Sequence, residues 1–188
     1  MLLEQKTVLV KEMLIKTIFA GFGGQGVLSM GLNLSQAAMS EGKHVTYLPS
    51  YGAEVRGGTA NCTVAISDEE IASPVASSPD FVVAMNQPSL VRFQNQIQSG
   101  GLLFINSSIT EPVVSRGDIE VIEVPASDIA EELKSPKSAN MVMMGAFSKK
   151  TNLVLLSTLI EVLKNTFKTK KMLIDINKKA LTAGYDLF

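Results

Sequence analysis

Residues 18 to 26 (Ile-Phe-Ala-Gly-Phe-Gly-Gly-Gln-Gly) form an apolar run that breaks into a glycine-rich turn, and the turn leads straight into a helical pattern. Val27, Leu28, Leu32, Leu34, Ala38 and Met39 carry that pattern, and Gly42 stops it. Their spacing gives a helix with one apolar face. A strand that hands over directly to a helix is the first half of a crossover unit, which points to a parallel sheet. Gly21, Gly23 and Gly26 have the spacing of a nucleotide-binding fingerprint, in which backbone N–H groups at a helix N-terminus face a phosphate.

Four further apolar runs, His44–Leu48, Phe81–Met85, Leu102–Ile105 and Val121–Val124, join Leu14–Ala20 as strands. They are near-continuously hydrophobic, as parallel strands covered on both faces must be. After Met85, Asn86 is an N-cap and Pro88 lies in the first turn of a short helix to about Gln98. Thr59–Ile66 reads as another strand, with Ser67–Glu70 as its turn and Ile71–Val75 as the return. This predicts a hairpin or antiparallel edge where a crossover helix would normally stand. Ser138 to Gly184 is mostly helical, with breaks near Thr151-Asn152 and Thr166–Lys171. The expected fold is α/β: a doubly wound, mostly parallel, Rossmann-like sheet with an inserted antiparallel hairpin and a helical C-terminal part.

At 188 residues, 46% hydrophobic and 19% charged, the chain can bury a substantial core. The single Cys62 excludes an internal disulfide framework and a four-cysteine iron–sulfur cluster, and reads as a small buried hydrophobe. Thr17 to Ser40 lacks charge, but five glycines with Gln25, Asn33 and Gln36 argue against a membrane span. Residues 1–12 hold Glu4, Lys6 and Lys11 and no long apolar core, so no secretory leader is expected and the expected compartment is the cytoplasm. Residues 1–133 carry 7 Lys/Arg against 15 Asp/Glu, and residues 134–188 carry 10 against 3. The basic end (Lys164, Lys168, Lys170, Lys171, Lys178, Lys179) lacks the interleaved arginines and aromatics that read bases. It is expected to be solvated helix surface, without nucleic-acid binding.

Ligands of open α/β sheets collect beyond the carboxyl ends of the strands. The residues there form a rim of polar and glycine-rich segments: Gly21–Gly26, Pro49–Gly58, Asn86-Gln87 and Asn106-Ser107-Ser108. The candidate binding residues are Gly21, Gly23, Gly24, Gln25 and Gly26, then Ser50, Tyr51, Glu54, Arg56, Gly57 and Gly58, then Asn86 and Gln87. A dinucleotide site needs an acid at the end of the second strand, and here the strand ends in Leu48-Pro-Ser-Tyr51, which disfavours NAD. Arg56 between Glu54 and two glycines suits bidentate recognition of phosphate or carboxylate, or else braces its loop through Glu54. Tyr51 either stacks on a ring or closes the core. His44, the one histidine, has no partner ligand in sequence, and no nucleophile–base pair, carboxylate dyad or metal cluster emerges. The residues describe a binding module without a catalytic centre of its own.

Three ordered motifs now take on meaning together: Gly21-Phe-Gly-Gly-Gln-Gly-Val27, Ser50-Tyr-Gly-Ala-Glu-Val-Arg-Gly-Gly-Thr-Ala-Asn61 and Ala84-Met-Asn-Gln-Pro88. With Ala139-Asn-Met141 and Ala180-Leu-Thr-Ala-Gly-Tyr185 they resemble the gamma subunit of 2-oxoacid:ferredoxin oxidoreductases, most like the 2-oxoglutarate type. Pyruvate, branched-chain and indolepyruvate types are near alternatives. The resemblance covers residues 13–188 as one domain and leaves 1–12 as an N-terminal extension. Ala53 stands where the family motif commonly has proline. The resemblance implies a part of an enzyme that oxidatively decarboxylates a 2-oxoacid to its acyl-coenzyme A. Thiamine diphosphate and iron–sulfur clusters would lie on partner alpha, beta and ferredoxin-like subunits, with no cofactor bound by this chain alone. Coenzyme A would be a co-substrate at the rim. An isolated copy has the same partner face available for self-association. The alternatives are an independent NAD or FAD module and a purely architectural subunit.

Overall fold

The computed structural model describes residues 13–51, 58–111 and 116–188, with Tyr51 described by its backbone. The expected extension 1–12 and Glu54, Arg56 and Gly57 lie outside the described residues.

Six strands form one sheet: β1 (Leu14–Phe22), β2 (His44–Tyr51), β3 (Thr59–Ser67), β4 (Phe81–Ala84), β5 (Leu102–Asn106) and β6 (Glu120–Val124), in the order β2-β3-β1-β4-β5-β6. β1, β4, β5 and β6 pair in parallel, while β3 runs antiparallel to both of its neighbours, β1 and β2. The antiparallel insertion is therefore real, but its hairpin is β2–β3, and Ile71–Val75 is not a strand. The reason lies in the side chains. β3 buries Ala60, Cys62, Val64 and Ile66 toward the main core, so it belongs inside the sheet. Ile71–Val75 contains Pro74, which has no N–H to donate to a ladder.

Most helices cover one face: α1 (Val27–Ser40), α3 (Ala126–Glu132), α4 (Ala139–Thr151), α5 (Leu156–Phe167) and α6 (Lys171–Tyr185). The helical breaks fall where the sequence placed them, but α3 was not foreseen. It is short, and only its Ala126 and Ala130 are buried, too few to set a periodicity. On this face Phe147 of α4 packs its ring against Phe19, Phe81 and Phe104 at centroid distances of 5.4, 6.0 and 5.2 Å. The other face is covered more thinly. Ile18, Ala20, Val82, Ala84, Leu103 and Ile105 pack there against Leu90 and Phe93 of α2 (Gln87–Phe93) and against Ile97. The alternation of Ile18/Ala20 with Phe19 between the two cores is the period-two pleat of a strand buried on both sides.

Candidate functional site

The strand ends meet at one edge of the sheet. β1 runs through Gly21 and Phe22, opposite Ala60 and Thr59 of β3. That register places the end of the β2–β3 loop beside the glycine turn, and the Gly23 N–H donates to the Gly58 carbonyl at 3.0 Å. Gly26 closes the turn as the N-cap of α1, with φ +74°. This left-handed conformation suits glycine. A Cβ at Gly26 would also collide with the side chain of Asn140, which donates through Nδ2 to the Gly26 carbonyl at 3.4 Å. At Gly21 a Cβ would lie 2.8 Å from both Gln25 Oε1 and Val27 Cγ1, so the bare backbone there is what allows Gln25 to fold back.

Gln25 and Asn86 do something other than wait for a ligand. Gln25 Oε1 accepts the Phe22 N–H at 2.7 Å and Asn86 Nδ2 at 2.8 Å, and its Nε2 donates to the Met85 carbonyl at 3.0 Å. Asn86 Oδ1 accepts the Ser89 N–H at 2.9 Å, which caps α2 as its sequence position implied. Gln87 behaves alike, accepting the Glu111 N–H at 2.9 Å and donating to the Glu111 carbonyl at 3.3 Å. Asn106, fully buried, donates to Ser127 Oγ at 2.9 Å and accepts the Ser127 N–H at 3.3 Å. These amides stitch the loops after β1, β4 and β5 into a fixed frame.

What the frame leaves outward is Phe22, Gly23, Gly24 and Ser50, all exposed, together with Ile109 beyond β5. The rim thus presents backbone, one hydroxyl and apolar side chains, a composition suited to a partner surface or a bound cofactor's flank. Tyr51 pairs with Ala60 through the backbone. His44 is exposed at the start of β2, at the opposite end of that strand from the rim. Cys62 is buried, and burial pushes its thiol up to about 12, so it is inert at neutral pH. Among the described residues no group of three or more His, Cys, Asp or Glu is placed to hold a metal ion, and no helix is long and apolar enough to cross a membrane. Lys164, Lys171, Lys178 and Lys179 are exposed on α5 and α6, and Lys168 and Lys170 are exposed in the break between those helices.

Asn140 entered the sequence reading within the Ala139-Asn-Met141 motif but not as a rim residue. It reaches Gly26 across 114 positions, a contact to which no local spacing points. Its signal was Gly26 itself, a glycine over which something must pack closely.

Comparisons with known proteins agree with this geometry. The family model described as pyruvate ferredoxin/flavodoxin oxidoreductase matches residues 16–187. The ketoisovalerate oxidoreductase subunit VorA of Methanothermobacter thermautotrophicus is 44% identical over 90% of this chain, which spans 35% of that longer protein. The 2-oxoglutarate synthase subunit KorC of Methanothermobacter marburgensis is 37% identical over 78% of this chain and 83% of its own length. The structure of 2-oxoglutarate:ferredoxin oxidoreductase from Magnetococcus marinus, with 2-oxoglutarate, coenzyme A and succinyl-CoA bound, superposes with a TM-score of 0.87. It is 28% identical and covers 93% of this chain and 31% of that one. With that family model matching nearly the whole chain and relatives above 30% identity along most of it, the chain belongs to the pyruvate ferredoxin/flavodoxin oxidoreductase family.

Proposed function

We propose that this chain serves a complex that converts a branched-chain 2-oxoacid, coenzyme A and an oxidised ferredoxin into the acyl-coenzyme A, carbon dioxide and reduced ferredoxin. The observation that carries the substrate class is sequence identity: 44% to the ketoisovalerate subunit, against 37% to the 2-oxoglutarate subunit and 32% to a pyruvate synthase subunit. The 2-oxoglutarate type is the second reading, favoured by an identity of 37% that extends over 83% of the 2-oxoglutarate synthase subunit.

In this reading thiamine diphosphate and the iron–sulfur clusters reside on alpha, beta and ferredoxin-like partners. The chain's single cysteine is no basis for a cluster. The chain supplies a wall. Gly21 to Gly26 and Ser50 to Gly58 face the shared site and flank coenzyme A, while Gln25, Asn86 and Gln87 hold the wall in shape. Supporting this are the Gly23–Gly58 hydrogen bond, which puts the two loops side by side, and the exposed backbone of Gly23 and Gly24. Arg56 is proposed to contact an anionic group of coenzyme A.

Co-expression with the thiamine-binding subunits tests the substrate assignment. The expected result is a kcat/KM for ketoisovalerate at least about tenfold above those for 2-oxoglutarate and pyruvate, a difference a hydrophobic pocket can supply. A preference for 2-oxoglutarate would move the assignment to the second reading. In the same complex Arg56→Ala should raise the KM for coenzyme A and leave that for the 2-oxoacid unchanged.

A further inference from the structure

One buried polar group has no place in the stitched frame. Asn33, in the middle of α1, is only 7% exposed and has no side-chain hydrogen-bond partner among the described residues. Its amide keeps contact with the space it borders, so a ligand there would meet a fixed donor and acceptor with no protein hydrogen bond to displace. Asn33 lines a cavity of about 410 Å3 within the helical layer. Ser29, one turn before it on the same helix face, and Asn140 line it too. Asn140 is 8% exposed and engages Gly26 only through its Nδ2. The opposite wall is apolar, made by Met141, Phe167, Leu173 and Ile176.

The field in this cavity has one sign. The N-termini of α1 and α4, helices of 14 and 13 residues, both border it through Gly26 and through Ser138 and Asn140. Each presents the positive end of its dipole and N–H groups without intrahelical partners. Lys137 stands at the edge of the cavity, and among the described residues no aspartate or glutamate lines it. Two amides and a hydroxyl supply hydrogen bonds, and the apolar wall accepts a hydrocarbon body.

We propose that this cavity binds a small organic carboxylate with an apolar tail. The carboxylate lies against Asn33, Ser29 and the two helix N-termini, and the tail lies against Met141 and Phe167. Such a ligand satisfies the Asn33 amide and neutralises the local positive field, while a neutral molecule of the same shape does only part of this. The site is independent of which 2-oxoacid the complex oxidises, because every residue invoked belongs to this chain.

Calorimetric titration of the full chain with phenylacetate and with its neutral isostere phenylacetamide tests the assignment. The acid is expected to bind with a Kd of about 1 mM or tighter. The amide should bind at least about tenfold more weakly, a ratio that corresponds to about 1.4 kcal/mol. Asn33→Leu should lower affinity for the acid about tenfold without loss of helical circular dichroism. Lys137→Gln, an exposed change that cannot threaten the fold, should weaken the acid severalfold and leave the amide unchanged. Equal affinity for acid and amide, no acid binding at all, or undiminished binding in both variants would overturn the proposal.

Discussion

Gln25 and Asn33 sit on the same short stretch of chain, both as amides and both largely shielded from water, yet their surroundings treat them oppositely. Gln25 accepts two hydrogen bonds and donates a third, tying the ends of β1 and β4 together with Asn86. Asn33 makes no side-chain hydrogen bond among the described residues and faces a cavity. The contrast separates two uses of a polar group. A satisfied one holds a shape, whereas an unsatisfied one is available for binding. On this ground the amides at the rim act as a frame, and what the rim leaves outward is backbone, the Ser50 hydroxyl and the apolar Phe22 and Ile109.

Gly26 belongs to both regions, so it is where the comparison is most easily broken. Gly26→Ala must take a side chain into φ +74° and displace Asn140. It should cost about 3 kcal/mol, the sum of left-handed strain and overpacking, measured by urea unfolding. Asn86→Ala removes the α2 cap and one donor to Gln25, for about 2 kcal/mol. A loss no greater than a surface substitution's would mean the stitch holds nothing.

A third buried group, Cys62, extends the contrast to protons. Its folded-state value near 12 lies above that of an unfolded thiol, so the folded chain keeps a proton the unfolded chain releases. Stability is therefore fully present below about pH 9 and falls as pH rises toward 12. The slope approaches about 1.4 kcal/mol per pH unit. In Cys62→Ala that component of the pH dependence should vanish, whatever the variant's cavity costs at neutral pH. The smallest expected effect is the most telling. Asn33→Leu should leave stability unchanged or raise it by up to about 1 kcal/mol, because it removes an unpartnered amide. A loss of 2 kcal/mol or more would mean that Asn33 has a structural partner after all.

Much of the fold was legible because it rests on short-range patterns. Apolar runs gave the β1, β2, β4, β5 and β6 strands, and Gly42, Asn86 and Asn152 marked helix ends that the structure keeps. The partner of β3 was misread because pairing is a long-range property. A turn at Ser67–Glu70 looked closer than the strand across residues 52–58, and only the burial of β3 on both sides decides between them. The rim was legible as a place but not as an arrangement. Gln25, Asn86 and Gln87 were rightly located at strand ends, yet nothing in the spacing says that their polar atoms are spent on one another. Asn33 entered the sequence reading only as a polar residue unwelcome in a membrane. Its isolation depends on α4, α5 and α6 closing over it, more than a hundred residues later.

The central claim is that the glycine turn and the β2–β3 loop become one wall of a shared coenzyme A site when the complex assembles. Hydrogen exchange on the complete, turning-over enzyme measures this directly. Assembly followed by coenzyme A should slow exchange across residues 21–26 and 50–58, and leave the already bonded Ser89 and Glu111 amides little changed. Unaltered exchange in both loops, in a complex that still consumes coenzyme A, would contradict the account.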